Sequence, residues 1–483
     1  MSAAQSLDPP NWPAARAEAH RMLDDVLDHM AGLRDQPVWR EPPQDLREAF
    51  REPLPQAGAE LAELRQVFGE RIAPYSSGNA HPGFMGWVQG GGTVAGVLGE
   101  MLAAGLNANL GGRDHMALEV EQQVVHWAKA MFGFPDAATG LFLTGASQAN
   151  FLAVLIARVR ALGVDVRRKG LARARRPLMG YASRAVHGCV GRAMDMAGVG
   201  STQLRLIPTD AQGRMRLDVL AAAIAVDRET GALPFLLVGT AGSVDTGAID
   251  DLDALAEVAA ANDLHFHVDG ALGALGVLAP GLKPKLRGIE RADSLAFDWH
   301  KWGQVPYDAG FLLVRDGELH RSAFAGEHAY LSRADRGLAR DGWWPCDYGP
   351  DLSRGFRALK TWFTLKTYGA AALGEMIQGT CDLAQALAAR IEAEPELELM
   401  APVALNIVCF RYRGPDPDAL NAAIVADLQL EGRVAPSLTR LDGAVAIRAA
   451  VVNHRTEASD VTALVAGVLA LGRASLSRAA SAA

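Results

Sequence analysis

The chain has 483 residues, too many for a single small core, so we expect two or three domains. Its formal net charge of -8 argues against a nucleic acid as the main partner. The four cysteines (Cys189, Cys346, Cys381 and Cys409) lack the paired spacing of a zinc site or a disulfide framework, so no metal is expected. The sequence shows neither a basic leader followed by an apolar stretch nor eighteen unbroken apolar residues, which predicts a cytoplasmic protein with no membrane partner.

The order of helical and strand-like patterns predicts an α/β protein in three parts. Residues 1–75 contain amphipathic stretches broken by prolines and predict an N-terminal helical arm. Apolar strand-like runs alternate with helical stretches over residues 76–346, which predicts a large domain with a mixed, mostly parallel sheet. Residues 347–483 predict a smaller α+β domain, with helices near 357–368, 381–393 and 457–471 and strands at 407–412 and 444–448.

Two side chains in the large domain make chemical sense together. Lys301 follows Asp269 by thirty-two residues, and Asp269 ends a strand-like run in which Phe266 and Val268 alternate with histidines. Ligands meet an open parallel sheet where its strands end. A lysine amine can hold an aldehyde cofactor as a Schiff base, and a buried aspartate can keep the cofactor's ring nitrogen protonated. The pair indicates a pyridoxal-phosphate site, although a lysine is more often a solvated surface group and an aspartate is often a helix cap.

Two further segments could complete such a site. Residues 144–150 follow a strand-like run and open a helix with small residues, so their backbone N–H groups and the Ser147 hydroxyl could bind a phosphate. The same residues are also common as simple helix caps. His187 lies at a strand-to-helix junction, where its imidazole could stack on a flat cofactor or could cap the helix.

Several motifs in order resemble those of group II pyridoxal-phosphate-dependent amino-acid decarboxylases, of the aromatic-L-amino-acid and glutamate decarboxylase kind. The resemblance covers residues 40–475. Its motifs lie at residues 78–84, 119–121, 144–150, 187, 239–250, 267–271, 300–302, 353–360 and 453–456.

The resemblance implies fold type I, the aspartate aminotransferase-like architecture, and a homodimer with active sites at the subunit interface. It also implies pyridoxal 5'-phosphate as cofactor and assigns a role to each matching residue. Lys301 would carry the Schiff base, Asp269 would pair with the pyridine nitrogen and His187 would stack on the ring. The remaining roles fall to Ala146, Ser147 and His300 at the phosphate, Ala271 on the other ring face, and Trp87, Val88 and Gln89 in the substrate pocket.

The chain departs from the family pattern at three places, one of which is Val244, in a Gly-Ser-Val version of a segment where many relatives carry Gly-Thr-Thr. Decarboxylases of this family carry a tyrosine on a mobile loop that assists protonation of the product, but residues 332–345 contain no tyrosine. Trp343, Trp344 or Pro345 stands where the hydroxyl is expected, and Tyr330 and Tyr348 flank the segment. The remaining departure is Asn107 and Asn109, which could hydrogen-bond a polar group of the substrate or could cap a loop.

These observations lead to one expected reaction and two alternatives. We expect α-decarboxylation of an L-amino acid, with an aromatic substrate favoured by Trp87, to give the amine and carbon dioxide. The missing loop tyrosine keeps oxidative decarboxylation–deamination to an aldehyde open as an alternative. Cleavage of the Cα–Cβ bond of a β-hydroxy amino acid is a further alternative, because the same cofactor site can serve it.

Overall fold

The computed structural model describes residues 6–326 and 329–482, and its N-terminal part is helical as predicted. Helix α1 (Trp12–Ala31) begins where the Asn11 side chain accepts a hydrogen bond from the Ala14 N–H. Two short helices follow, α2 (Gln44–Ala49) and α3 (Leu61–Val67). The buried Glu18 carboxylate holds α1 to α3 because it accepts a hydrogen bond from Arg65 at 2.6 Å. A two-residue strand, β1 (Phe84–Met85), closes this part of the chain.

The large domain is built on one mixed sheet of seven strands among the described residues. These are β2 (Thr139–Leu143), β3 (Leu178–Ser183), β4 (Leu204–Ile207), β5 (Leu233–Thr240), β6 (His265–Asp269), β7 (Ser294–Asp298) and β8 (Gly310–Val314). Their order is β2-β8-β7-β6-β5-β3-β4, and every neighbouring pair is parallel except the two that involve β8. The predicted α/β class with a mostly parallel sheet is therefore confirmed.

Helices cover both faces of this sheet. The large-domain helices are α4 (Val94–Leu106), α5 (Met116–Phe132), α6 (Ala146–Leu162), α7 (Val166–Lys169), α8 (Gly188–Met196), α9 (Leu217–Glu229), α10 (Leu252–Ala261) and α11 (Gly317–Phe324). Helices α5, α9 and α10 share one apolar core with one face of the strands, whereas α6 and α8 pack against the other face. Because both faces are covered, the strands are buried at nearly every position.

The C-terminal part is an α+β unit around a second sheet. Its elements are α12 (Arg357–Ala393), β9 (Leu397–Leu399), β10 (Ile407–Tyr412), α13 (Pro417–Glu431), β11 (Ala435–Leu441), β12 (Ala444–Ala450) and α14 (Ala458–Ala482). The strand order is β1-β11-β12-β10-β9, in which only β1 and β11 pair in parallel. The helices expected at 357–368 and 381–393 both form within α12, and they are separated at Gly369, where a φ of 79° and a ψ of 158° interrupt the helix.

The strand pairing bears on the predicted division of the chain. Strand β1 lies within the segment expected to belong to the large domain, residues 76–346, yet it pairs with β11 of the smaller sheet. The segment after the N-terminal helices therefore connects the two sheets. The boundaries at residues 75 and 346 remain predictions.

Helix α14 is the one described helix that is long and apolar enough to cross a membrane, over Ala458–Arg478. Val461, Leu464 and Val468 on α14 are buried in the core of the C-terminal unit, together with residues of α12, α13 and β10. This packing accounts for the apolar face of the helix.

Candidate active site

Lys301 lies just beyond the end of β7, and its closest charged partner is Asp298, the last residue of that strand. The Lys301 Nζ is 2.9 Å from Oδ2 of Asp298, whose side chain is only 3% exposed. Burial lowers the pKa of the Lys301 ammonium, but the charges of Asp298 and Asp269 raise it further, so this pKa lies above its ordinary value. A protonated amine is thus held beside the Asp298 carboxylate at the edge of the sheet.

Asp269 ends β6, the strand next to β7 in the sheet, and its carboxylate is buried. One oxygen, Oδ1, accepts a hydrogen bond from the Ala271 N–H at 3.2 Å. The other, Oδ2, accepts one from the Asn150 carboxamide at 3.1 Å. Burial raises the pKa of Asp269 above its ordinary value, against the opposing effects of the Ala271 N–H, Lys301 and His187. A nearby cation would reverse this shift and stabilise the carboxylate.

The N-terminus of α6 points at the same cluster. The N–H of Ala146, the first residue of the helix, donates to Oδ1 of Asp298 at 2.7 Å, and Ser147 is exposed on the first turn. A Cβ on Gly310 would lie 2.3 Å from the Gly145 Cα, so only glycine lets β8 approach this turn so closely. The small residues predicted to open a phosphate site therefore lie beside Asp298 and Lys301.

His300 contributes a neutral ring to this edge. Its Nδ1 accepts a hydrogen bond from the Ala309 N–H at 3.0 Å, and its Nε2 is 3.7 Å from Asp298. Burial lowers the pKa of His300, and its ring packs on the Tyr307 ring with 4.3 Å between the centroids.

His187 caps α8, which agrees with the helix-capping interpretation of its sequence position. Its Nδ1 accepts a hydrogen bond from the Cys189 N–H at 3.2 Å, which fixes the ring at the helix start and leaves it exposed. An electrostatic effect of His187 lowers the pKa of Asp269, so the two side chains lie within electrostatic range of each other. A capping role and a stacking role are compatible, because capping uses only one edge of the ring.

The expected substrate-pocket residues fall into two groups. Trp87, which is 58% exposed, lies with Val88 and Gln89 in a segment that reaches the site, since the next residue, Gly90, donates from its N–H to the His300 carbonyl at 3.1 Å. Asn107 ends α4 in the left-handed region, at a φ of 47°. The Asn109 carboxamide oxygen accepts from the Gly111 and Arg354 N–H groups, both at 3.0 Å. These contacts fit the loop-capping alternative for the two asparagines, and a role in the substrate pocket remains a prediction for both.

Three residues at the site were not singled out from the sequence. Asp298 ends β7 just before Lys301, and Asp269 ends the neighbouring strand β6. A carboxylate at the end of each strand is a sequence pattern that could have identified Asp298 as a site residue. Asn150 lies one helical turn after Ala146 and therefore faces the same side of α6. Thr240 ends β5 and pairs in register with Asp269.

The tryptophans of the loop before α12 hold the loop in place and do not provide a proton donor. The Trp344 side chain is buried, and its ring packs between the guanidinium carbons of Arg113 and Arg333, which lie 4.7 and 4.4 Å from the ring centroid. Tyr348 packs edge-on against His320, whereas Tyr330 is 70% exposed. Tyr330 is therefore the more accessible hydroxyl of the two that flank the segment.

Comparison with known proteins agrees with this arrangement. Residues 43–413 match the model of the pyridoxal-dependent decarboxylase conserved domain. The chain is 31% identical to an aromatic-L-amino-acid decarboxylase of Bacillus atrophaeus, with 94% of this chain and 95% of that protein covered. It is 27% identical to a phenylacetaldehyde synthase of Arabidopsis thaliana, over 94% and 95% of the two proteins. The crystal structure of Catharanthus roseus tryptophan decarboxylase in complex with L-tryptophan superposes with a TM-score of 0.85 at 26% identity, covering 97% and 99% of the chains.

The fold and the site define a pyridoxal-phosphate enzyme of fold type I. More particularly, the chain belongs to the pyridoxal-dependent decarboxylase family, whose members are amino-acid decarboxylases and hence lyases. Its cofactor is pyridoxal 5'-phosphate.

The residues present fit this cofactor. The Thr240 hydroxyl is buried without a hydrogen-bond partner among the described residues, although it sits next to Asp269 in the sheet. A buried polar atom without a partner is unfavourable, and a polar substituent of a bound ring would relieve it. A primary amine, a buried carboxylate and a helix N-terminus also converge here, as an aldehyde, a ring nitrogen and a phosphate require.

Proposed function

We propose that the protein decarboxylates an aromatic L-amino acid at its α-carbon and releases the amine and carbon dioxide. The observation that carries this proposal is the meeting of the Lys301 amine, the buried Asp269 carboxylate and the start of α6 at one edge of the sheet. The family assignment and the names of the similar proteins, an aromatic-L-amino-acid decarboxylase and a tryptophan decarboxylase, support it.

In this proposal Lys301, Asp298 and Asp269 each act on a particular atom of the cofactor or of the Lys301 amine. When bound, pyridoxal phosphate withdraws electrons from the α-carbon of an amino acid joined to its aldehyde carbon. Lys301 Nζ supplies the amine that holds the cofactor, and Asp298 holds the proton on Nζ when that amine is free. Asp269 accepts the hydrogen bond of the ring nitrogen, which stabilises the positive charge there because the site is buried.

The remaining residues of the site orient the cofactor. Ala146 and Ser147 at the start of α6, together with His300, face the phosphate, where the partial positive charge of the helix end favours an anion. When the cofactor is bound, His187 would cover one face of the ring and Ala271 would pack against the other. The orientation matters because the bond that breaks must stand perpendicular to the ring.

An aromatic substrate is supported by the segment that crosses the Lys301 backbone. Trp87 exposes more than half of its side chain within this segment, and Val88 and Gln89 follow it. An indole surface binds a flat aromatic side chain well because it offers a large apolar area at little cost in side-chain entropy.

A specific observation favours a second candidate reaction, in which the amino acid, oxygen and water yield the aldehyde, carbon dioxide, ammonia and hydrogen peroxide. The loop before α12 has no tyrosine at residues 332–345, and its indole at position 344 is buried and cannot serve as a proton acid. If protonation of the product is slow, oxygen has time to react. The similarity to a phenylacetaldehyde synthase supports the same possibility.

We also propose that the protein acts as a homodimer in the cytoplasm, with its active sites at the subunit interface. Helix α4 exposes Met101, Leu102 and Leu106 at 49%, 46% and 67%, which is unusual for apolar residues of a monomeric enzyme. All four cysteines carry free thiols, which suits a reducing compartment. Light scattering on the purified protein tests the oligomeric state, with a mass of twice 51.2 kDa expected.

One panel experiment tests the reaction and the substrate together. The holoenzyme is incubated with each of the twenty common L-amino acids and with hydroxylated aromatic analogues, while amine, carbon dioxide, aldehyde, glycine, ammonia, peroxide and oxygen uptake are measured. Amine and carbon dioxide in equal amounts without oxygen uptake support the proposal. Aldehyde with stoichiometric oxygen uptake supports the oxidative reaction, and glycine with an aldehyde from a β-hydroxy amino acid would indicate Cα–Cβ cleavage.

A further inference from the structure

Behind Asp269, a line of buried side chains runs into the sheet, which we call the Asp269 relay. His265 Nε2 lies 2.8 Å from Ser294 Oγ, and the same oxygen lies 2.8 Å from His267 Nδ1. His267 Nε2 lies 2.6 Å from Asn150 Oδ1, and Asn150 Nδ2 lies 3.1 Å from Asp269 Oδ2. None of these five side chains belongs to a residue that is more than 4% exposed.

The chemistry of the acceptors fixes the direction of every hydrogen bond in the relay. The Asn150 carboxamide must turn its NH2 to the Asp269 carboxylate, so its oxygen faces His267 and His267 Nε2 must donate. A neutral His267 then accepts at Nδ1, so the Ser294 hydroxyl donates to it and itself accepts from His265 Nε2. All donors therefore point toward Asp269.

Both histidines are neutral, as this assignment requires. Burial lowers the pKa of His265 and of His267 to about 3. His265 Nδ1 has no hydrogen-bond partner among the described residues, which agrees with an unprotonated nitrogen at the far end of the relay. The relay thus carries no net charge and acts on Asp269 through aligned dipoles, which strengthen one another in a buried chain.

We propose that Asn150 and His267 are positioning residues that hold the Asp269 carboxylate in the orientation that engages the ring nitrogen of the cofactor. Asn150 is the only relay member that touches Asp269, and His267 prevents the carboxamide from turning over. This inference rests on the role proposed for Asp269. Ser294 and His265 act through His267, so their influence falls with distance along the relay.

The other charged groups that face Asp269 come from different elements and stay in place when the relay is altered. They are Lys301 and Asp298 at the end of β7 and His187 at the start of α8. Asn150 also donates to the Cys189 thiol at 3.2 Å, and burial raises the pKa of that thiol to about 11, so Cys189 stays uncharged near neutral pH. A change caused by Asn150 or His267 variants is therefore a change in the relay itself.

The experiment follows the ring nitrogen directly in the holoenzyme. Pyridoxal phosphate labelled with 15N in the ring is bound to the parent protein and to the Asn150→Ala, His267→Leu and His267→Gln variants, and the 15N chemical shift and the cofactor Kd are measured. We expect Asn150→Ala and His267→Leu to move the shift toward that of an unprotonated pyridine and to weaken cofactor binding by on the order of tenfold, as for loss of a hydrogen bond to a charged group. His267→Gln should restore most of the parental shift, since its amide can donate to Asn150.

Two controls separate the relay from general damage and from the role of Asp269. His320→Leu removes another fully buried histidine, away from the site, and should leave the 15N shift unchanged. Asp269→Asn should change both readouts strongly. If Asp269→Asn changes them and the Asn150 and His267 variants do not, the relay proposal fails alone; if Asp269→Asn changes neither, the proposed role of Asp269 fails.

A further variant keeps the test decisive if the larger changes prevent folding. Ser294→Ala removes one hydroxyl from the middle of the relay and leaves every other side chain in place. We expect a 15N displacement smaller than that of Asn150→Ala but in the same direction. A parental shift in a folded Ser294→Ala protein would contradict a relay that extends beyond His267.

Discussion

Arg354 and Glu121 form an ion pair that is sealed inside the large domain, with side chains 1% and 0% exposed. The guanidinium donates two hydrogen bonds to the carboxylate, at 2.6 and 3.1 Å. It also donates to the carbonyls of Leu110 and Phe142, at 2.9 and 3.0 Å. One side chain thereby ties α5, the segment before α12 and strand β2 together, just ahead of the turn that opens α6.

We expect Arg354→Met to lower the free energy of unfolding by about 3–5 kcal/mol, because the Glu121 carboxylate would remain buried without a counter-ion. Urea denaturation followed by circular dichroism measures the loss. The double variant Glu121→Leu/Arg354→Met removes both charges and should recover part of the stability. Equal losses in the single and double variants would show that the charge of Glu121 is not the cause.

Lys301→Ala should abolish turnover and also the covalent trapping of cofactor by borohydride, since no amine would remain at the end of β7. Mass spectrometry of the reduced protein reads out the adduct. Lys301→Arg is the matched control because it keeps the positive charge beside Asp298 without a condensing amine. Both variants should be inactive, and trapping at another lysine with retained activity would remove Lys301 from its proposed role.

Asp298→Asn should lower the pKa of Lys301. Burial alone lowers this pKa and the charge of Asp298 raises it, so removal of that charge leaves the lowering effect dominant. A larger fraction of the amine is then unprotonated at a given pH, and the rate at which the apoenzyme takes up pyridoxal phosphate should rise at lower pH than in the parent. Stopped-flow absorbance across pH 6–10 measures the displacement, and superimposable pH profiles would contradict it.

Asp269 should make the stability of the apoenzyme depend on pH. Its pKa is raised in the folded protein, so its contribution is fully present below the unfolded value of about 3.8 and is lost as pH rises through the folded pKa. Relative to Asp269→Asn, the parent apoenzyme should therefore lose stability as pH increases over that window. Denaturation series at several pH values, with added pyridoxal phosphate in a parallel series, test this; a constant difference between the two proteins would count against it.

Tyr330→Phe should raise the share of aldehyde in the product and the uptake of oxygen, if the parent forms an amine. Tyr330 is 70% exposed on the loop and its hydroxyl can donate a proton, whereas the phenyl ring cannot. Tyr348→Phe is the control, since Tyr348 packs against His320 and burial raises its pKa. The two variants are compared by the ratio of amine to aldehyde, and an unchanged ratio in Tyr330→Phe would exclude this hydroxyl as the donor.

The sequence predicts most of the elements near the site because local patterns determine them. Strand β10 covers the predicted residues 407–412, and β12 begins at the predicted residue 444. The sequence places Asp269 at the end of one strand and Lys301 just after another. These two residues lie at the same edge of the sheet because β6 and β7 are neighbours. The roles of the individual site residues remain predictions.

Features that depend on distant partners could not be predicted from local patterns. The pairing of β1 with β11 joins residues about 350 positions apart, which no local pattern reports. The contacts of Asn150 with Asp269 and His267 likewise depend on the packing of α6 against β6, whereas carboxamides at helix positions usually face solvent.

The short stretch between β1 and the Lys301 backbone has a mechanical consequence. Met85 is hydrogen-bonded into the C-terminal sheet, and Gly90 is bonded to the His300 carbonyl, so residues 86–89 bridge the two domains directly across the pocket. Any rotation of one domain against the other must pull on this bridge and displace the Trp87 indole. A rotation of one sheet against the other and a displacement of the residue proposed to line the substrate pocket are therefore coupled through one short segment.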